Sequence, residues 1–149
     1  MKMDWTQVKP LNVEAVRALA GKAVAEARPF VAAEARISHV GLRSASFEEW
    51  KSLLELLEPL GQGHMTYKPD GRPIPFIKLD KPITVGADVL EYLEMPAPKK
   101  VPEVQPQVVV VFQLAGADGA AMLQGGYDVR ESALHAEDYI ARSANKETA

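Results

Sequence analysis

Ile37-Ser-His-Val-Gly-Leu42, then Ser46-Phe-Glu-Glu49, then Asp70-Gly-Arg-Pro-Ile74 and Asp88-Val-Leu-Glu-Tyr-Leu-Glu94 stand in that order in the middle of the chain. Read together they predict a strand, a helix and three further strands. Ile37 to Leu42 alternates at period two, with Ile37, His39 and Gly41 on one face. Ser46 followed by Glu49 is a capping box: the hydroxyl and the carboxylate each satisfy a backbone N–H that the first helical turn leaves without a partner. Phe47, Trp50, Leu53, Leu54 and Leu57 then recur at helical spacing and make one apolar stripe. Pro59 and Gly61 stop the helix. His64 to Lys68 and Ile74 to Leu79 flank Pro69-Asp-Gly71 as the arms of a hairpin. Pro75, which has no N–H to give a ladder, points to an edge position or a bulge. Asp88 to Glu94 alternates again, with Leu90, Tyr92 and Glu94 sharing a face.

Working outward, Asn12 to Arg28 carries Val13, Val16, Leu19, Ala20, Ala23, Val24 and Ala27 at helical spacing, with Asn12 able to cap the helix and Pro29 able to end it. An alanine-rich face buries little area of its own, so this helix is expected to lie on something larger. Toward the C-terminus, Gln107 to Leu114 has no polar side and reads as a strand buried on both faces. Ala115 to Gly126 reads as a small-residue loop, Tyr127 to Arg130 as a short strand, and Ala133 to Ser143 as a closing helix. The expected class is α+β in a single domain over 1–149: a helical region over 1–35, a βαβββ unit over 36–98 and a shorter unit with the closing helix over 99–149.

Composition narrows the chemistry. The 149 residues are 47% hydrophobic and 25% charged, with a net charge of −3 and no cysteine. Disulfides, thiolate zinc sites and cysteine nucleophiles are therefore excluded. The charge balance gives no general attraction to nucleic acid or to an anionic membrane. The opening residues lack the apolar core of a signal peptide, and no stretch approaches a membrane span, so a cytoplasmic protein is expected. Neither a phosphate-binding glycine loop nor a nucleophile elbow is present.

The segments Ile37-Ser-His-Val-Gly-Leu-Arg43, Asp70-Gly-Arg-Pro-Ile74, Ile77-Lys-Leu79 and Leu93-Glu-Met-Pro96, with Trp50 on the intervening helix, resemble the YecM-type branch of the vicinal oxygen chelate superfamily. That resemblance implies two βαβββ modules paired into a cupped sheet, and a cup that commonly holds a divalent metal on His, Gln and Glu side chains. By the same resemblance His39 and Glu94 keep two positions able to ligate metal. Val108 stands where a histidine is expected, and the histidine of the last strand falls near Ser132. The second module is expected to be short, with Ala115 to Gly126 in place of its helix and two of its strands.

A catalytic divalent ion needs about three protein ligands and an open position. His39 and Glu94 supply two, so a complete catalytic metal site is not expected. Arg43, Arg72 and Lys78, with Tyr92, are the candidates for a ligand site at one rim of the sheet, since an arginine fork suits carboxylate or phosphate. The competing reading has these cations in structural ion pairs with Asp70, Asp80 or Glu94, and an Arg43–Glu94 pair would itself displace a metal. The leading expectation is a small-molecule-binding or interaction module that takes an anionic ligand. One alternative is a metal-dependent isomerase, lyase or oxidoreductase using His39 and Glu94. Another is a structural or assembly role. The apolar strand 108–112, lacking neighbours in a shortened module, would need cover from either the alanine-rich N-terminal helix or a second copy of the chain, and a homodimer with this strand near its interface is expected.

Overall fold

The structure is a computed structural model that describes residues 12–99 and 106–148. Its elements are α1 (Val13–Ala27), β1 (Arg36–Leu42), α2 (Phe47–Leu57), β2 (Gly61–Tyr67), β3 (Pro73–Val85), β4 (Asp88–Glu94), β5 (Val108–Gln113), β6 (Asp118–Gln124), β7 (Tyr127–Ser132) and α3 (Ala136–Thr148). Short 3-10 turns follow α1 and α2. The class is α+β, and the strand–helix–strand–strand–strand unit runs from β1 to β4.

All seven strands belong to one mixed sheet in the order β2-β3-β4-β1-β5-β7-β6. β1 is parallel to β4 and antiparallel to β5, and β5 is parallel to β7. The two halves are thus laid out alike. Each has an opening strand at the centre (β1, β5), a closing strand parallel to it (β4, β7), and an antiparallel strand outside that (β3, β6). Part of the stretch expected to be a loop, 115–126, is in fact strand β6. Small residues with Gly119 among them hid its alternation, and Gly125 and Gly126, both at positive φ, make the turn into β7. The second half therefore loses a helix and one strand, not two.

The helices α1 and α2 cover one face. Val16, Ala20, Ala23, Val24 and Ala27 of α1 and Leu53 and Leu57 of α2 meet Val40, Leu42, Leu93, Val108, Val110 and Phe112 in the main core. The alanines let α1 approach closely, and Asn12 caps it by accepting from the Ala15 N–H at 2.8 Å. Ser46 accepts from the Glu49 N–H at 3.1 Å, as the capping box predicts. Phe47 departs from the stripe: it is half exposed and meets Trp50 edge to face, while the Trp50 indole donates to the Met95 carbonyl at 2.8 Å.

Three local features depart from simple alternation. In β4, Leu90 enters the main core with Leu93 while Tyr92 packs beneath α3, so Leu90 and Tyr92 do not share a side. A register shift between Ile37 and His39 marks a bulge at Ser38. It sends Ile37 into the main core and turns Ser38 and His39 to the opposite face, so Ile37 and His39 do not share a side. Pro75 lies in β3, which is flanked by β2 and β4 and is not an edge. Pro75 is tolerated where pairing with β4 runs out, its carbonyl accepting from the Met95 N–H just past the last β4 residue.

β5 is an interior strand. β1 and β7 pair with its two edges, the helices cover Val108, Val110 and Phe112, and Val109 and Val111 face the other side. Its apolar character is thus accounted for within one chain, and the need for a second copy to cover it does not arise. No helix among the described residues is long and apolar enough to cross a membrane.

Candidate functional site

The sheet face opposite α1 and α2 is only partly covered. α3 crosses one end of it, seating Ala136, Tyr139 and Ile140 on Ile74, Phe76 and Tyr92. Beside α3 lies a cleft of about 870 Å³. Its floor is made by His39, Ile74, Phe76, Glu94, Val109 and Val111, and Tyr139 and Arg142 of α3 form a wall.

The bulge at Ser38 builds the floor. The Ser38 hydroxyl accepts from the Ala136 N–H at 2.8 Å, at the start of α3, and lies 2.8 Å from His39 Nδ1. On the other side His39 Nε2 is 3.5 Å from Glu94 Oε2. With Ser38 donating to Nδ1, the Nε2 proton points at Glu94. The ring meets Phe76 and Tyr139 edge to face, at 5.1 and 6.4 Å between centroids. Burial pulls the His39 pKa below its ordinary value; the Glu94 carboxylate opposes this, and His135, Lys68 and Arg130 reinforce it. His39 is therefore neutral at neutral pH. Gly41, next along the same face, leaves room for Glu94: a Cβ there would lie 3.0 Å from Glu94 Oε1.

The rim is cationic. Arg43 donates to Asp128 Oδ2 at 3.1 Å and to the Pro106 carbonyl at 3.0 Å. Arg130 donates to the same Asp128 oxygen, also at 3.1 Å, so one buried carboxylate holds two guanidinium groups. Arg72 donates to the Ala97 carbonyl at 3.2 Å, while its Nε is buried without a hydrogen-bond partner, 4.0 Å from the Asp70 carboxylate. Lys68, Lys99 and Arg142 complete the basic lining.

The structure thus brings His39, Glu94, Arg43 and Arg72 to one cleft. Where the sequence suggested an Arg43–Glu94 pair, Arg43 donates to Asp128 and Glu94 lies against His39, with the Glu94 charge still acting on Arg43. Lys78 and Tyr92 do not line the cleft. Tyr92 is buried beneath α3 with His135 against its ring, and the Lys78 ammonium lies 5.9 Å from its centroid. Sequence reading missed Lys68, Tyr139, Arg130 and Arg142. The signal for Arg130 was present: Asp128, Arg130 and Ser132 alternate with Tyr127 and Val129 on β7, and the polar set faces the cleft. Tyr139 and Arg142, three apart on α3, share a helical face.

Among the described residues no third His, Cys, Asp or Glu joins His39 and Glu94 to form a metal-holding group. Among the described residues His39 and Glu94 thus supply two ligands, fewer than the three a catalytic divalent ion needs.

Comparison with known proteins places this architecture. A sequence-family model described as YecM protein matches residues 22–107, more than half of the chain. The chain belongs to the YecM family. The matched span includes His39, Arg43, Arg72 and Glu94 and ends before β5, so Arg130 and Tyr139 lie beyond the part by which the YecM family is recognised. A solved structure from structural genomics, protein EC4020, shares the fold with a TM-score of 0.68 at 15% identity, covering 95% of this chain and 97% of that one. No curated protein matches the sequence.

Proposed function

We propose that this YecM-family chain is a small-molecule-binding module whose cleft takes an anionic ligand, built on a vicinal-oxygen-chelate type of fold without that superfamily's complete metal site. The observation carrying this reading is a charge inversion. The chain has a net charge of −3, yet Arg43, Lys68, Arg72, Lys99, Arg130 and Arg142 gather at the cleft; among its described lining residues Glu94 is the one carboxylate, with Asp128 behind Arg43 and Arg130 and Asp70 beside Arg72. A concave site lined by one sign of charge raises the local concentration of the opposite ion. The apolar floor beside it, Phe76, Val109, Val111 and Tyr139, suits the hydrocarbon part of a small organic acid. The paired layout of the two half-sheets supports the superfamily relation.

The test is calorimetric titration of the full chain with inorganic phosphate and with simple carboxylates, at low and at moderate salt. Binding that weakens with salt, and at least tenfold in Arg72→Ala, is the expected result. Absence of binding by either class of anion would overturn the reading.

One observation favours a second reading: the close approach of His39 and Glu94 inside a cleft. If a second chain supplied further ligands, the pair could serve a metal-dependent isomerase, lyase or oxidoreductase. Stoichiometric uptake of nickel, zinc or manganese that disappears in His39→Ala would support that alternative.

A further inference from the structure

The cations of the cleft fall into two groups with Glu94 between them. On one side, Lys68 follows β2 and Arg72 precedes β3, with Lys99 beyond β4. On the other, Arg130 rises from β7 and shares Asp128 with Arg43 from the end of β1. From β3 to β7 the sheet order makes four inter-strand steps. At about 4.8 Å each, Arg72 and Arg130 spring from backbones about 19 Å apart, with Arg43 on β1 between them reaching across to Asp128.

Glu94 occupies the middle, its Oε1 lying over Gly41 and its Oε2 against the His39 ring. A carboxylate there repels an anion placed directly above it, while either flank attracts one. A single compact anion can satisfy only one flank. Among the described residues Arg72 Nε, 4.0 Å from the Asp70 carboxylate, and Arg130 Nε are buried without a hydrogen-bond partner, as is the Asp128 Oδ1 acceptor beside Arg130. Between the flanks the floor is apolar on Val109, Val111 and Phe76.

From this arrangement we infer that the ligand is a two-headed acid, with one acid group held at Arg72 and Lys68, the other at Arg130, and a hydrocarbon middle over the apolar floor. The inference rests on the anion-binding reading of the cleft and adds the ligand's shape and charge. Linking two anionic groups makes the second contact intramolecular, so affinity peaks where the linker matches the span and declines on either side.

The experiment titrates the wild-type chain with α,ω-dicarboxylates of increasing length, with α,ω-bisphosphates of the same lengths, and with the corresponding monoacids. One diacid series is expected to show a length optimum at which binding is at least tenfold tighter than that of the monoacid. Which series shows it distinguishes carboxylate from phosphate ends. At that optimum Arg72→Gln and Arg130→Gln each reduce affinity to the monoacid level, and the double variant binds neither. Monoacids binding as tightly as every diacid would overturn the two-headed ligand while leaving the anionic cleft standing. Failure of all the acids to bind would overturn both.

Discussion

His39 enters the fold neutral, because burial disfavours its charged form more than Glu94 favours it. Its folded pKa lies below its unfolded value of about 6.5. The unfolded chain therefore binds the proton more readily. The stability this contributes is complete above about pH 6.5 and is lost as pH falls toward the folded pKa. One such group gives a slope of at most about 1.4 kcal/mol per pH unit. Urea midpoints measured from pH 7 to 5 should fall more steeply in the wild type than in His39→Gln; parallel curves would contradict the assignment. Asp128 is the second residue on which the site depends. Its loss in Asp128→Ala leaves two guanidinium groups facing each other without the carboxylate that holds both, and should cost about 2 kcal/mol in chemical denaturation. Asp128→Asn should recover part of that, since the amide oxygen still accepts a hydrogen bond.

At the scale of elements, the ends of α2 and β2 make opposite demands. Ser46→Ala removes the cap of α2 and is expected to cost about 1 kcal/mol. Gly61, the first residue of β2, has no room for a side chain: an added Cβ would sit 1.8 Å from the Lys78 carbonyl oxygen. Gly63, two residues on, has nothing within 4 Å. Gly61→Ala should therefore destabilise by about 2 kcal/mol or more, and Gly63→Ala far less, as read from thermal midpoints. The start of α3 is a comparable device that sequence patterning did not reveal. The His135 ring accepts from the Glu137 N–H at 3.2 Å, and Asp138 reaches back to the His135 N–H at 2.8 Å. Histidine is an unusual cap, so residues 133–135 read as plain helix when they are in fact its approach.

For the whole molecule, the placement of β5 removes the reason the sequence offered for self-association. Both edge strands expose apolar side chains, Met65 and Tyr67 on β2 and Met122 and Leu123 on β6, with Leu123 the most exposed at 69%. An unpaired strand with apolar side chains invites another strand, and β6 carries the most exposed of them in Leu123. We propose the homodimer there: light scattering should give a dimer at micromolar concentration and a monomer for Leu123→Lys. A wild-type monomer would dispose of the idea.

The elements that local sequence could determine are those whose signal repeats within a few residues. The capped stripe of α2, the alanine face of α1 and the apolar run of β5 are all of this kind, because helix and strand periods are short-range properties of the backbone. His39, Glu94, Arg43 and Arg72 were singled out by the family resemblance of the segments that carry them. What only the tertiary structure decided is which of them meet. The bulge at Ser38 turns His39 toward Glu94, and the parallel pairing of β5 with β7 brings Arg130 and Asp128 to Arg43 across 85 residues of chain. α3, packed on Phe76 and Tyr92, separates Tyr92 from the cleft while bringing Tyr139 to it. Those contacts join residues far apart in the chain. Their selection depends on strand order and register, which are settled by burial of the whole sheet and leave no mark in any one segment.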